Sequence, residues 1–151
     1  MKILFVCTGN TCRSPMAAAL MNKIAENNDL DISAQSAGIY ADAGEPASVE
    51  AIEVMADYGI DLSSHRSRNI SDDMIAESDL ILTMTEGHKM MTSALAPDKI
   101  FTICEFAGYD GDIIDPFGGD VEEYEETAEA IYDCLTEIAE KIADSQGDIK
   151  K

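Results

Sequence analysis

The first fifteen residues constrain the fold most. There an unbroken apolar run, Ile3 to Val6, passes into a short polar loop and then into Ser14-Pro15. Four consecutive apolar residues without alternation suit a strand buried on both faces, the habit of parallel strands between layers of helices. Serine is a favoured helix N-cap and proline a favoured first helical residue, so a helix is expected to open at Ser14-Pro15. Ala17, Leu20, Met21 and Ile24 fall on one apolar face of it. The alternation then repeats. Ile32 to Ala37 reads as a second strand ending at Gly38, and Pro46 is expected to start a helix burying Val49, Ile52 and Met55. Leu80, Ile81, Leu82 and Met84 form a third strand, and Lys99 to Ile103 a fourth. A Gly- and Asp-rich loop covers residues 108–119, and a long acidic helix follows. In that helix Val121, Tyr124, Ala128, Ile131, Leu135, Ile138 and Ile142 recur in steps of three and four. Such a seam either packs inside the chain, on the sheet, or pairs with another helix as a coiled coil; the first use is the commoner. Strand–helix alternation of this kind predicts an α/β fold, a parallel sheet covered on both faces, with ligands at the carboxyl ends of the strands.

The 151 residues suit one domain, 1–151, without repeats or a linker. A hydrophobic fraction of 46% with 26% charged residues is that of a globular chain. No apolar run approaches the ~20 residues of a bilayer span, and the one after Met1-Lys2 is too short for a signal-peptide core. A cytoplasmic protein is therefore expected. The four cysteines, Cys7, Cys12, Cys104 and Cys134, include no C-x-x-C pair and do not suggest a disulfide framework. With two histidines, no zinc site is expected. Cys104, at the end of an apolar strand, and Cys134, beside the helix seam, read as core. A net charge of -20 repels nucleic acid and anionic membranes, so neither is an expected partner. The acidity reads as a solubility adaptation, including to a salty cytoplasm, or as an attraction for basic protein substrates.

The chemistry concentrates in Cys7-Thr8-Gly9-Asn10-Thr11-Cys12-Arg13-Ser14, between strand and helix. A loop there gathers backbone N–H groups into one concavity, and the helix N-terminus adds partial positive charge, which suits a dianionic phosphoryl group. Gly9 and Asn10 tolerate the left-handed backbone that a tight loop demands. Cys7 at the base is expected as a thiolate, because helix N-termini and a nearby arginine lower cysteine pKa from ~8.5 to roughly 3.5–7.5. Such a thiolate is a nucleophile aimed at phosphorus. Arg13 can clamp two phosphoryl oxygens with its planar fork. Ser14 caps the helix and can donate to the Cys7 sulfur. A leaving group needs a proton donor, and Asp115-Pro116, in the loop after the fourth strand, supplies a carboxyl that a bound phosphoanion would push up in pKa.

These residues resemble the low-molecular-weight protein tyrosine phosphatases over nearly the whole chain. ILFVCTGNTCRSP is similar to that family's signature, Ser36-Ala37-Gly38 to its second strand end, Ser63-Ser64-His65 to its S-x-H segment, Ser78 to Leu82 to its third strand, and Asp115-Pro116 to its acid loop. The resemblance implies a four-stranded parallel sheet with helices on both faces and no metal or other cofactor. It makes Cys7 the nucleophile, Arg13 the phosphate clamp and Asp115 acid then base. His65 would support the loop through Asn10. Thr8, Gly9, Asn10, Thr11, Cys12 and Ser14 are the expected substrate-binding set, with Phe117 and with Tyr40 either lining or merely covering the mouth. Cys12 either forms a reversible disulfide with Cys7 or simply packs the loop. Tyr124 reads as packing.

Two features set the chain apart within that resemblance. Thr11 stands where the tyrosine-specific branch commonly has Ile or Leu, and Asp115-Pro116 leads into Phe117-Gly118-Gly119 rather than two aromatics. CTGNTCR and DPFGG, with Met84-Thr85 and His88-Lys89, look more like the bacterial protein-arginine-phosphatase branch. A threonine hydroxyl can hydrogen-bond a guanidinium or orient water, whereas an aliphatic side chain packs on a ring. Phosphoproteins are thus the expected substrates, phosphoarginine being favoured and phosphotyrosine the alternative, for a monomer or weak dimer. Arsenate reduction on the same fold needs further thiols near the third strand, and residues 82–89, LTMTEGHK, have none. A phosphate-binding module or phosphocysteine carrier would need neither Arg13 nor Asp115.

Overall fold

In the computed structural model of the chain, Lys2–Cys7 form the central strand β1, and Arg13–Asn27 form α1 directly after it. Residues 1–92 and 98–150 are described, with side chains of the last helix described to residue 145; of the expected domain 1–151, residues 93–97 and 151 lie outside the described residues. The order continues with β2 (Ser33–Gly38), α2 (Val49–Asp57), α3 (Asp72–Glu77), β3 (Leu80–Thr83), α4 (Glu86–Thr92), β4 (Ile100–Thr102), α5 (Ile103–Ala107) and α6 (Val121–Lys150). The sheet has four strands in the order β2-β1-β3-β4, every pairing parallel. β1 pairs Ile3 with Ala34 on one side and with Leu80 on the other. The order reverses at β1, so its carboxyl end opens into the crevice where parallel sheets bind ligands.

Alternation along the strands divides the core. Ile3, Phe5, Leu80 and Leu82 join the large cluster that includes α1, α2, α5 and α6, while Leu4, Val6, Ile81 and Ile100 join a smaller one with Ile75 of α3. Both faces of β1 are covered, as its unbroken apolar run requires. Ala17, Leu20, Met21 and Ile24 are all buried.

Several local expectations are corrected. Ser14 does not cap α1: the N-cap is Cys12, which makes no side-chain capping bond. The second helix starts at Val49 with Ser48 as N-cap, its Oγ accepting from Ala51 N, not at Pro46. Met55 is buried as expected and Ile52 packs half-buried against the core, but Val49 is exposed, and Ala51 and Val54 complete the inward face. The fourth strand ends at Thr102, and Cys104 lies in α5 rather than in a strand. A reciprocal capping box between Thr102 and Glu105 turns the chain into that helix. In α6, Tyr124, Ala128, Ile131, Leu135, Ile138 and Ile142 are buried within this chain, against α1, α2 and α5. The seam is therefore not free for a coiled coil. Cys104 and Cys134 are buried, and all four cysteines are free thiols. Among the described residues, no helix is long and apolar enough to cross a membrane.

Candidate active site

A cavity of about 240 Å³ opens at the carboxyl end of β1, lined by Cys7 to Arg13 in unbroken succession and by Asp115 and Phe117. Its shape follows from how the loop is tied. Asn10 has φ 58, the left-handed turn that asparagine tolerates better than most side chains. Gly9, expected to share that conformation, does not. Asn10 is fully buried, and its amide is used on both sides. Nδ2 donates to Ser14 Oγ and to Ser36 Oγ, each at 2.9 Å, and Oδ1 accepts from Arg68 N at 3.0 Å. The carbonyl of Asn10 accepts from His65 Nε2 at 2.7 Å, which places the proton on that nitrogen. Asn10 thus holds the loop's shape with its side chain while its backbone lines the cup. The β2 end closes the other side: a Cβ on Gly38 would lie 2.5 Å from Thr8 O, so only glycine fits.

Ser14 is buried, and its Oγ lies 2.8 Å from Cys7 Sγ. With Asn10 donating to the same oxygen, the hydroxyl proton is left for the sulfur. A capping role would have turned this hydroxyl onto the helix N–H groups. Its diversion, with no side chain capping at Cys12, leaves the first-turn donors of α1 for an anion in the cup. Cys12 lines the cup, and its sulfur meets the Tyr124 hydroxyl at 3.2 Å. Burial and that sulfur push the Tyr124 phenol up to about 12, so it stays protonated.

Arg13 is buried. Its Nη1 donates to Ile113 O at 2.9 Å, and its Nη2 stands 3.6 Å from Asp115 Oδ2. The acid loop is itself anchored: Ile113 N donates to Met84 O at 3.0 Å, and Asp112 Oδ1 accepts from Glu86 N at 2.9 Å. Asp115 Oδ1 accepts from Phe117 N at 3.0 Å, leaving Oδ2 toward Arg13. Phe117 lines the cavity yet stays largely exposed. Tyr40 does not line it; its backbone N–H donates to Thr8 O at 3.0 Å and its side chain is exposed.

His88 takes a larger part than its sequence position suggests. It is buried beside the cup, with Nε2 2.9 Å from Thr8 Oγ1 and Nδ1 3.0 Å from Thr85 Oγ1. Burial, then the Arg13 charge, lowers its pKa from the usual 6.5, which favours the neutral ring. The sequence marked it through the likeness of Met84-Thr85 and His88-Lys89 to the arginine-phosphatase branch, without a role at the cup. Arg68 had no signal: its bond to Asn10 is made by the backbone N–H.

Fold and site together define an α/β enzyme of the cysteine-dependent phosphatase class: a thiol at the floor of a strand–loop–helix oxyanion cup, with a guanidinium and a carboxyl at its edge. The sequence matches low molecular weight phosphotyrosine protein phosphatase over residues 2–147. The chain belongs to that family. It is 44% identical to the protein-arginine-phosphatase of Geobacillus stearothermophilus, covering 96% of this chain and 98% of that one. It superposes with a TM-score of 0.90 on the low molecular weight protein tyrosine phosphatase of T. tengcongensis, 45% identical, over 93% of this chain and 99% of the other. The same score, 0.90, relates it to a C7S mutant of YwlE arginine phosphatase with a phosphorylated active-site serine, 37% identical, over 95% of this chain and 96% of that one.

Proposed function

We propose that the protein removes phosphoryl groups from phosphorylated proteins through a phosphocysteine at Cys7, and that phosphoarginine is its preferred substrate. The observation that carries this reading is the cup of residues 7–13 with Ser14 Oγ at 2.8 Å from Cys7 Sγ and Asp115 at its rim. In the first step the Cys7 thiolate attacks phosphorus, the P–N bond breaks, and Asp115 gives its proton to the departing guanidine nitrogen. In the second, Asp115 as carboxylate takes a proton from the attacking water, the S–P bond breaks, and phosphate leaves. Arg13 and the loop N–H groups stabilise the equatorial oxygens as charge develops. The Ser14 hydroxyl stabilises the departing sulfur. Thr8, Gly9, Asn10, Thr11 and Cys12 hold the phosphoryl group, Phe117 covers the group that carries it, and His65 supports the loop through Asn10. The protein works in the cytoplasm as a monomer or weak dimer.

Phosphoarginine is favoured because Thr11 lines the cup with a hydroxyl and Gly118-Gly119 follow Phe117 where a second aromatic would wall a phenyl ring. The mutant arginine phosphatase with its phosphorylated serine supports a covalent phosphoenzyme. Phosphotyrosine is the second reading, and the T. tengcongensis likeness favours it. Parallel kcat/KM measurements on a phosphoarginine protein and a phosphotyrosine peptide, for wild type, Cys7→Ser and Thr11→Ile, decide between them. Cys7→Ser is expected to be inactive on both. Wild type should prefer phosphoarginine and Thr11→Ile should erode that preference. An active Cys7→Ser variant refutes the mechanism; a phosphotyrosine preference untouched by Thr11→Ile refutes the specificity.

A further inference from the structure

The catalytic loop has a reverse side, and its charge is opposite to that of the molecule. Behind Asn10 lies a second cavity of about 380 Å³, lined by His65, Arg66 and Arg68 together with Asn22, Gln35 and Ser36. Among the described residues lining it none is a carboxylate, in a chain with 30 Asp+Glu against 10 Lys+Arg. Among the described residues neither arginine forms an ion pair. Both are instead fixed by neutral oxygens. Arg68 Nε donates to Ser36 O at 3.1 Å and its Nη2 to Gln35 Oε1 at 2.9 Å. Arg66 Nη1 donates to Ser63 O at 3.2 Å and to His65 O at 2.7 Å. His65 uses Nε2 on Asn10 O, and its Nδ1 makes no hydrogen bond among the described residues. Burial lowers the His65 pKa most, and the charges of Arg68 and Arg66 lower it further. Two guanidinium groups and an imidazole within one another's field, held without a counter-charge, favour an anion between them.

The geometry points to a second oxyanion site in this cavity, for inorganic phosphate, whose occupancy reaches the catalytic loop through Asn10. The cavity has ample room for hydrated phosphate. Two members of the cluster, His65 and Arg68, and the lining residue Ser36 hang on the residue that shapes the cup. His65 holds the Asn10 carbonyl, Arg68 donates its backbone N–H to Asn10 Oδ1, and Ser36, whose carbonyl accepts from Arg68 Nε, accepts from Asn10 Nδ2. A phosphate drawing Arg68 and His65 toward itself pulls on three bonds to one residue of the loop. Binding at this site does not depend on the proposed reaction; the coupling rests on that reading of the Cys7 loop.

The chain has two histidines, and they report on the two sites separately: His65 on the reverse cavity, His88 on the cup through Thr8. Proton NMR of the two imidazole C2–H signals, titrated with inorganic phosphate and with KCl at equal ionic strength, tests the site. Phosphate should raise the His65 titration midpoint by roughly one pH unit, beyond any effect of KCl. In Arg13→Ala, with the cup weakened, the His65 response should persist while the His88 response falls. In Arg66→Gln/Arg68→Gln the reverse should hold, the His88 signal also certifying the fold. Arg66→Gln alone, which loses only local carbonyl bonds, should reduce the His65 response. Phosphate inhibition should be mixed in wild type and competitive in the double variant. No response of His65, one matched by KCl, one retained in the double variant, or one lost in Arg13→Ala overturns the site. Purely competitive inhibition in wild type overturns the coupling. A silent His88 beside a responsive His65 would instead strike at the proposed cup and leave the second site standing.

Discussion

At the scale of single residues, the sharpest question is what Asp115 does. It stands 3.6 Å from Arg13 Nη2 and accepts from Phe117 N, so it both faces the cup and ties its own loop. A proton donor matters in proportion to the basicity of the leaving group. A guanidine, among the strongest bases that a protein carries, cannot leave unprotonated. A nitrophenolate needs little help. Asp115→Asn should therefore lower kcat/KM, which reports steps only as far as loss of the leaving group, by about 10²–10⁴ on a phosphoarginine protein and far less on p-nitrophenyl phosphate. Equal losses in kcat/KM on both would show that Asp115 acts by holding Arg13 rather than by protonating the leaving group. The sequence made Cys7, Arg13 and Asp115 readable as one cup because strand, turn residues and helix start fix where a loop points. The Ser14 bond to the sulfur was expected from the sequence as well, but not that Ser14 would give up the cap to make it. Serine before proline at a helix start is ordinary capping chemistry, and only Asn10 in three dimensions redirects it. The role of His88 was hidden for a similar reason: the sequence marked it only by resemblance, and its partner Thr8 lies 80 residues away in the chain.

At the scale of elements, length decided what could be read. β1 and α6 are long or strongly patterned, and their phases follow from the sequence. α3, α4 and α5 have 6, 7 and 5 residues, too few for a helical period to declare itself. Ile103 and Cys104 even prolong an apolar run that looks like strand. The signal against that was present in Thr102 and Glu105, whose spacing is that of a capping box. Ser48 likewise carried the true start of α2, two residues after the proline that drew the expectation. The α6 seam shows how packing settles what periodicity leaves open, since a three-four repeat serves a dimer or a core alike. Its fully buried Leu135 gives the test. Leu135→Ala should cost about 2–5 kcal/mol of unfolding free energy, against about 0.5 kcal/mol or less for Glu140→Ala on the exposed side. Denaturant unfolding at two protein concentrations checks it. A seam used within one chain gives a midpoint independent of concentration, and a concentration-dependent midpoint would return the seam to a dimer.

At the scale of the whole molecule, the net charge of -20 acts twice and with opposite sign. Packed into this fold, like charges repel one another more than in the extended chain, so the fold is held against its own field. Between about 0.05 M and 1 M KCl the Debye length falls from over 10 Å to ~3 Å, and that repulsion is screened. Thermal stability should therefore rise with KCl. The same field draws cationic partners and raises their encounter rate, an effect that screening removes. For a phosphorylated peptide flanked by Lys and Arg, kcat/KM should fall over the range in which Tm rises; for a neutral small aryl phosphate it should change little. The two readouts separate the two meanings of the acidity. A rise in Tm with no salt dependence for the basic peptide would assign the charge to solubility in salt alone. A steep loss on the basic peptide would make the acidic surface part of substrate capture, surrounding a cup whose own charges, Arg13 and the α1 N-terminus, are of the sign that a phosphoryl group requires.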